Sequence, residues 1–129
     1  MTDRGAVADW IGRYLRAWDS NDPDDVRDLF TPDAEYRFSP ASPPAVGHDA
    51  IVAGWLEHRD EAGDHTFSWE LVALDGDVAV VQGHTVYTAG TDAGREYENL
   101  WIIRLAPDAR ARSYTEWYER AGTAEGDAG

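Results

Sequence analysis

TFSWELVALDGDVAVVQGHTVYT, residues 66–88, decides the fold class. Phe67, Trp69 and Leu71 alternate with Thr66, Ser68 and Glu70, the period of two that belongs to a strand with one apolar face. Asp75-Gly76 is a strong hairpin signal, because the favoured two-residue turns need positive φ, and residues 78–88 are the returning strand. Toward the C terminus, residues 89–94 read as a Gly-containing loop, and residues 96–105 and 112–119 as a second hairpin around Pro107-Asp108. Toward the N terminus the period changes to 3.6. Val7, Trp10, Ile11, Tyr14, Leu15 and Trp18 fall on one face of a helix, with Asp9, Arg13 and Arg16 on the other. Asp22 before Pro23 is a helix start and predicts a short second helix over residues 23–30. Thr31-Pro32-Asp33 ends it, because proline disfavours helical geometry in the residue before it. Ala34, Tyr36 and Phe38 then alternate with Glu35 and Arg37 as a short strand, and residues 39–44, with three prolines, form an extended connection. A third helix is expected over residues 49–62, with Gly63 as its stop. Three helices and a meander of long strands predict an α+β fold, its helices gathered on one face of an antiparallel sheet.

Length and composition fit one domain over residues 1–129, with a core over about residues 6–120 and a frayed tail at 122–129. Asp and Glu number 25 against 11 basic residues, a net charge of -14 that repels phosphate backbones and anionic lipid, so neither nucleic acid nor membrane is expected as a partner. Residues 1–9 carry neither a basic start nor an apolar run, and the expected location is the cytoplasm. The absence of Cys excludes disulfides, a thiol nucleophile and thiolate metal sites. There is no Gly-rich phosphate loop, dinucleotide fingerprint or nucleophile elbow, and His48, His58, His65 and His84 match no metal-ligand spacing. No cofactor and no metal are expected.

Glu116 stands out because it lies between Tyr114 and Tyr118 on alternate positions of the last strand, with Trp117 on the other side. Facing a hollow interior, it gains a raised pKa from desolvation and serves as a general acid or base. The opposite facing puts Thr115 and Trp117 in the core and leaves Glu116 on a wet surface; one apolar neighbour leaves both open. His84 shares a parity with Gln82 and is either a proton shuttle, paired across the interior with Glu116, or a hydrogen-bonded structural group. Asn99 shares a parity with Trp101 and either offers its amide to a pocket or bonds a neighbouring loop. Tyr14, Trp18, Tyr36, Phe38, Trp55 and Trp69 form an aromatic group that mostly builds the core.

The order of these elements resembles the SnoaL-like group of the nuclear transport factor 2-like superfamily. The resemblance is carried by the aromatic first helix, by Leu29-Phe30-Thr31-Pro32-Asp33-Ala34-Glu35-Tyr36, by Gly47-His48-Asp49-Ala50-Ile51, by Asn99-Leu100-Trp101-Ile102-Ile103-Arg104 and by Thr115-Glu116-Trp117-Tyr118. It implies a cone, a strongly curved antiparallel sheet wrapped around three N-terminal helices, with a pocket at the open end and dimerisation through the outer face of the sheet. The family includes polyketide cyclases, ketosteroid isomerase, limonene epoxide hydrolase and dehydratases, so membership alone selects no reaction. Residues 35–50 also resemble limonene epoxide hydrolase, and Tyr36 and Glu116 match its site in kind, but Phe38, His84 and Val86 stand where that enzyme has the Asn, Arg and water-activating Asp, which argues against its mechanism. The cyclases carry an acidic base on the last strand, and Glu116 matches it, while their supporting His pair is not clearly reproduced.

These readings combine into a homodimeric protein with an aromatic-lined pocket for a small apolar or polyketide-like molecule. Its expected chemistry is cofactor-independent and of isomerase, cyclase or dehydratase type, with Glu116 and His84 as catalytic residues. Tyr14, Trp18, Tyr36, Phe38, Trp55, Trp69, Asn99 and Trp101 are the expected ligand contacts. The alternatives are a non-catalytic binding module using the same pocket, or a dimerisation scaffold whose pocket is filled by its own side chains.

Overall fold

The structure, a computed structural model, describes residues 2–57, 65–89 and 93–121. Helix α1 spans Arg4–Ser20. Its start is fixed by the Asp3 carboxylate, which accepts from the Ala6 N–H at 2.8 Å, and its end by Asn21 in the left-handed region at φ 51°. The stripe read from the sequence is the buried face, with Val7, Trp10, Ile11, Tyr14 and Ala17 inside and Leu15 and Trp18 at its margin. Helix α2, Pro23–Arg27, begins where Asp22 caps it but stops short of the expected residue 30. Phe30 instead opens strand β1, Phe30–Arg37. The Leu29 carbonyl accepts both the Trp10 indole N–H at 2.9 Å and the Ala111 N–H at 2.8 Å, two distant bonds that draw the chain into the sheet before the helix can add a turn. Pro32 lies where the register of β1 against its neighbour shifts, a place where its missing N–H breaks no ladder bond.

The connection after β1 contains a two-residue strand, β2 (Ala45–Val46), and leads to α3, His48–Glu57. The expected end of this helix near Gly63 lies outside the described residues, as do His58, residues 90–92 of the expected loop and the expected tail at 122–129. Strands β3 (His65–Asp75), β4 (Val78–Tyr87), β5 (Glu96–Leu105) and β6 (Ala111–Ala121) follow as an antiparallel meander. Gly76, at φ 61°, makes the first hairpin turn. The six strands are ordered β2-β1-β6-β5-β4-β3 in one curved, unclosed sheet with the helices against one face. The sheet is antiparallel except at one junction, where β1 runs parallel to β6. No helix among the described residues is long and apolar enough to cross a membrane.

Cross-strand register decides which side chains face the helices. Ala79, Ile103, Tyr114 and Tyr36 form one inward row, Val81, Trp101 and Glu116 the next, and Gly83, Asn99 and Tyr118 a third. Ala79, Ile103 and Tyr114 of the first row are packed core, while Tyr36 at its end, Trp101 and Glu116 of the second row and Asn99 and Tyr118 of the third face a hollow. Gly83 is required by close approach, since the Phe67 ring lies over its Cα and stacks on Trp101 at 4.9 Å and 10°. Gly83→Ala is therefore expected to displace Phe67 and to destabilise the fold by about 1–3 kcal/mol, as overpacking does. A thermal midpoint equal to that of the parent would contradict this placement of the ring.

Candidate active site

A cavity of about 310 Å³ lies between α1, α3 and the inward face of the sheet, within the size range of small-molecule sites. The helical stripe sends Tyr14 and Trp18 into its wall, and α3 sends Trp55. Tyr36 and Phe38 enter from the end of β1, Asn99 and Trp101 from β5, and Glu116 from β6. Seven of the eight expected ligand contacts thus line one space together with Glu116. Trp69 does not: it lies opposite Gly83 on the outermost long strand and packs at the core margin, while Phe67, two residues earlier, backs Trp101.

Glu116 is the sole Asp, Glu, Arg or His among the described residues of the cavity wall, and the sequence contains no Lys. Its Oε2 accepts from Asn99 Nδ2 at 2.6 Å, and Asn99 Oδ1 in turn accepts from the Thr85 hydroxyl at 2.8 Å. Its Oε1 accepts a longer bond from the Tyr114 hydroxyl at 3.4 Å. Tyr14 ties the phenols together, 3.4 Å from the Tyr114 oxygen and 3.3 Å from that of Tyr36. Burial raises the pKa of Glu116, opposed by the bonds from Asn99 and Tyr114 and by the Trp101 indole N–H; the last lies nearby without full hydrogen-bond geometry. Burial, aided by neighbouring Tyr14 and Glu116, holds Tyr36 well above the ordinary phenol value. Burial and then Glu116 do the same to Tyr114. Both phenols keep their protons and are available as donors.

His84 is not brought to this site. Its row runs Ser68, His84, Glu98 and Glu119, on the face of the sheet opposite to Glu116. Nδ1 lies 2.6 Å from Glu98 and Nε2 3.0 Å from Glu96, and the hydrogen bond to Glu98, followed by the charges of Glu98 and Glu96, raises its pKa. The expected pairing of His84 with Glu116 is therefore corrected: one residue along β4, Thr85 takes the inward position. The signal was present, since Gln82 and His84 share the polar parity while Ala79, Val81, Gly83 and Thr85 share the buried one. Sequence reading also missed Asn21, which accepts from the Trp55 indole at 3.1 Å, and Tyr87 and Tyr97 in the wall. Among the described residues no group of three His, Asp or Glu is arranged to hold a metal ion.

The SnoaL-like domain model matches residues 1–123. The chain belongs to the SnoaL-like family of the nuclear transport factor 2-like superfamily. Solved structures agree with this SnoaL-like fold. A ketosteroid isomerase-like protein from Erwinia carotovora atroseptica SCRI1043 superposes with a TM-score of 0.63 at 21% identity, covering 92% of this chain and 95% of that one. The epoxide hydrolase/cyclase-like enzyme SalBIII, with a role in pyran ring formation in the polyether salinomycin, gives 0.73 at 16% identity with the same coverages. An NTF-2 like protein of unknown function from Burkholderia xenovorans LB400 gives 0.66 at 14%, over 95% of this chain and 92% of that one. No curated protein matches the SnoaL-like chain.

Proposed function

We propose that this SnoaL-like chain is a cytoplasmic, homodimeric enzyme that moves a proton on a small apolar or polyketide-like molecule without a cofactor, with Glu116 as the general acid or base. The observation that carries the reading is one carboxyl in an otherwise aromatic and amide-lined cavity, its proton affinity raised by burial. A carboxylate that has given up its hydration holds a proton more tightly than one in water, which moves it toward the range where general acid-base catalysis is effective. Isomerisation, dehydration and cyclisation all begin with such a transfer, and the aromatic walls suit a flat, apolar ligand. Cyclisation is supported by the likeness in fold to SalBIII, an epoxide hydrolase/cyclase-like enzyme.

Incubation of flat, apolar ketones and lactones with the protein in D2O tests this reading. Deuterium incorporated next to the carbonyl by the parent protein, and not by Glu116→Gln, is the expected result. Ligands that bind without exchange would replace the enzyme by a binding module. The homodimer is supported by the outward row in which Leu100 and Trp117, 36% and 39% exposed, lie opposite each other. Trp117→Glu is expected to convert the dimer to a monomer of 14.3 kDa in sedimentation velocity; a monomeric parent would remove the dimer from the proposal.

A further inference from the structure

We propose that Thr85 is a positioning residue for Glu116: its hydroxyl holds the Asn99 amide so that the amide hydrogens, and not the carbonyl oxygen, face the carboxylate. The proposal rests on the reading of Glu116 as the proton-transferring group. Thr85 is 2% exposed and follows Ala79, Val81 and Gly83 on the buried parity of β4, where Val would pack as well. A buried hydroxyl is costly unless it is bonded, and this one has its partner in Asn99 Oδ1 at 2.8 Å. Asn99, 8% exposed, has two ends of nearly equal shape, and its neighbours alone choose which end points where. With Oδ1 taken by Thr85, Nδ2 reaches Glu116 Oε2 at 2.6 Å; the reversed amide would set a carbonyl oxygen against the carboxylate. Donation into Oδ1 also polarises the amide and strengthens the bond it gives at its other end.

The other groups facing Glu116 do not replace this bond. Tyr114 on β6 reaches only the other carboxyl oxygen, at 3.4 Å, and Tyr14 from α1 and Tyr36 from β1 act through Tyr114. Trp101 on β5 makes no full hydrogen bond, and no Arg or His lines the described wall. Thr85 therefore controls the principal donor to the anion. Weakening that donor makes the proton harder to remove, so the midpoint of Glu116 moves upward when the hydroxyl is lost.

The test is a 13C NMR titration of the Glu116 carboxyl in the parent, Thr85→Val and Thr85→Ser. Thr85→Val is expected to raise the midpoint by about 0.5–1 pH unit, the equivalent of one weakened neutral hydrogen bond. Thr85→Ser returns it to the parent value, and the Asn99 side-chain NH2 signals, sharp in the parent and in Ser, broaden in Val. Thr85→Ala serves in place of Val should Val fail to fold. An unchanged midpoint with unchanged Asn99 signals in the variant lacking the hydroxyl overturns the proposal, as does a Ser variant that behaves like Val. A parent Glu116 that titrates as an ordinary carboxyl removes the acid-base reading instead, while the three-way comparison still decides the role of Thr85.

Discussion

Glu116→Gln is expected to slow carbonyl-adjacent deuterium exchange by about a hundred- to ten-thousand-fold, the usual contribution of one general acid or base, with ligand affinity changed less than threefold or so. Gln keeps the shape of Glu and an oxygen for Asn99 Nδ2, so the wall and its packing survive; what is lost is the group that gains and releases the proton. A fall in affinity equal to the fall in rate would mean that Glu116 binds rather than transfers. The same variant changes stability in a defined direction. Burial raises the folded-state pKa above the ordinary 4.5, so between that value and its own the folded chain holds a proton that the unfolded chain has released. The contribution of this group to stability therefore falls as pH rises through that window and is level on either side. The Gln variant has no such group. Its thermal midpoint should gain on the parent as pH is raised from 4.5 toward neutrality, a trend read from melts at several pH values.

Trp10→Ala is expected to have the largest effect on the fold. Trp10 has no exposed surface, and its ring touches Tyr14, Phe30 and Tyr114 at centroid distances of 5.4, 6.1 and 6.1 Å. Removing it forfeits transfer free energy, opens a void beneath the cavity floor and breaks the bond to the Leu29 carbonyl that helps turn the chain from α2 into β1. The cost is about 3–5 kcal/mol, a large part of the 5–15 kcal/mol that a domain has in total. The midpoint of urea unfolding should fall by about 1–3 M. Trp10→Phe, which keeps most of the ring, should lose much less; equal losses in the two variants would mean that the indole bond, not the packing, dominates.

Features written in local order were legible before the structure. The stripe on α1 and both long hairpins follow from period and turn chemistry, and β5 has the expected bounds, Glu96–Leu105. Phe30 reads as helical from its neighbours but opens a strand, because the Trp10 and Ala111 bonds to Leu29 join residues far apart in the chain. The two residues of β2 are too few to show a period, and the parallel pairing of β1 with β6 joins the two ends of the fold. The facing of Glu116 was undecidable from its own strand, where Tyr114 and Tyr118 are as able to be buried as Trp117. It is settled by Trp101 opposite it in β5, with Tyr114 buried and Trp117 exposed. His84 carries the more conspicuous chemistry in the sequence, whereas Thr85, ordinary in a strand, holds the inward place beside Asn99.

The proposed role of Glu116 depends on the proton affinity of its side chain. In protein labelled with 13C at the Glu carboxyl carbons, the Glu116 signal is assigned by its loss in Glu116→Gln and followed against pH. A midpoint above the ordinary 4.5 that moves when an apolar ligand fills the cavity is the expected result. A midpoint at or below that value, indifferent to ligand, would contradict it.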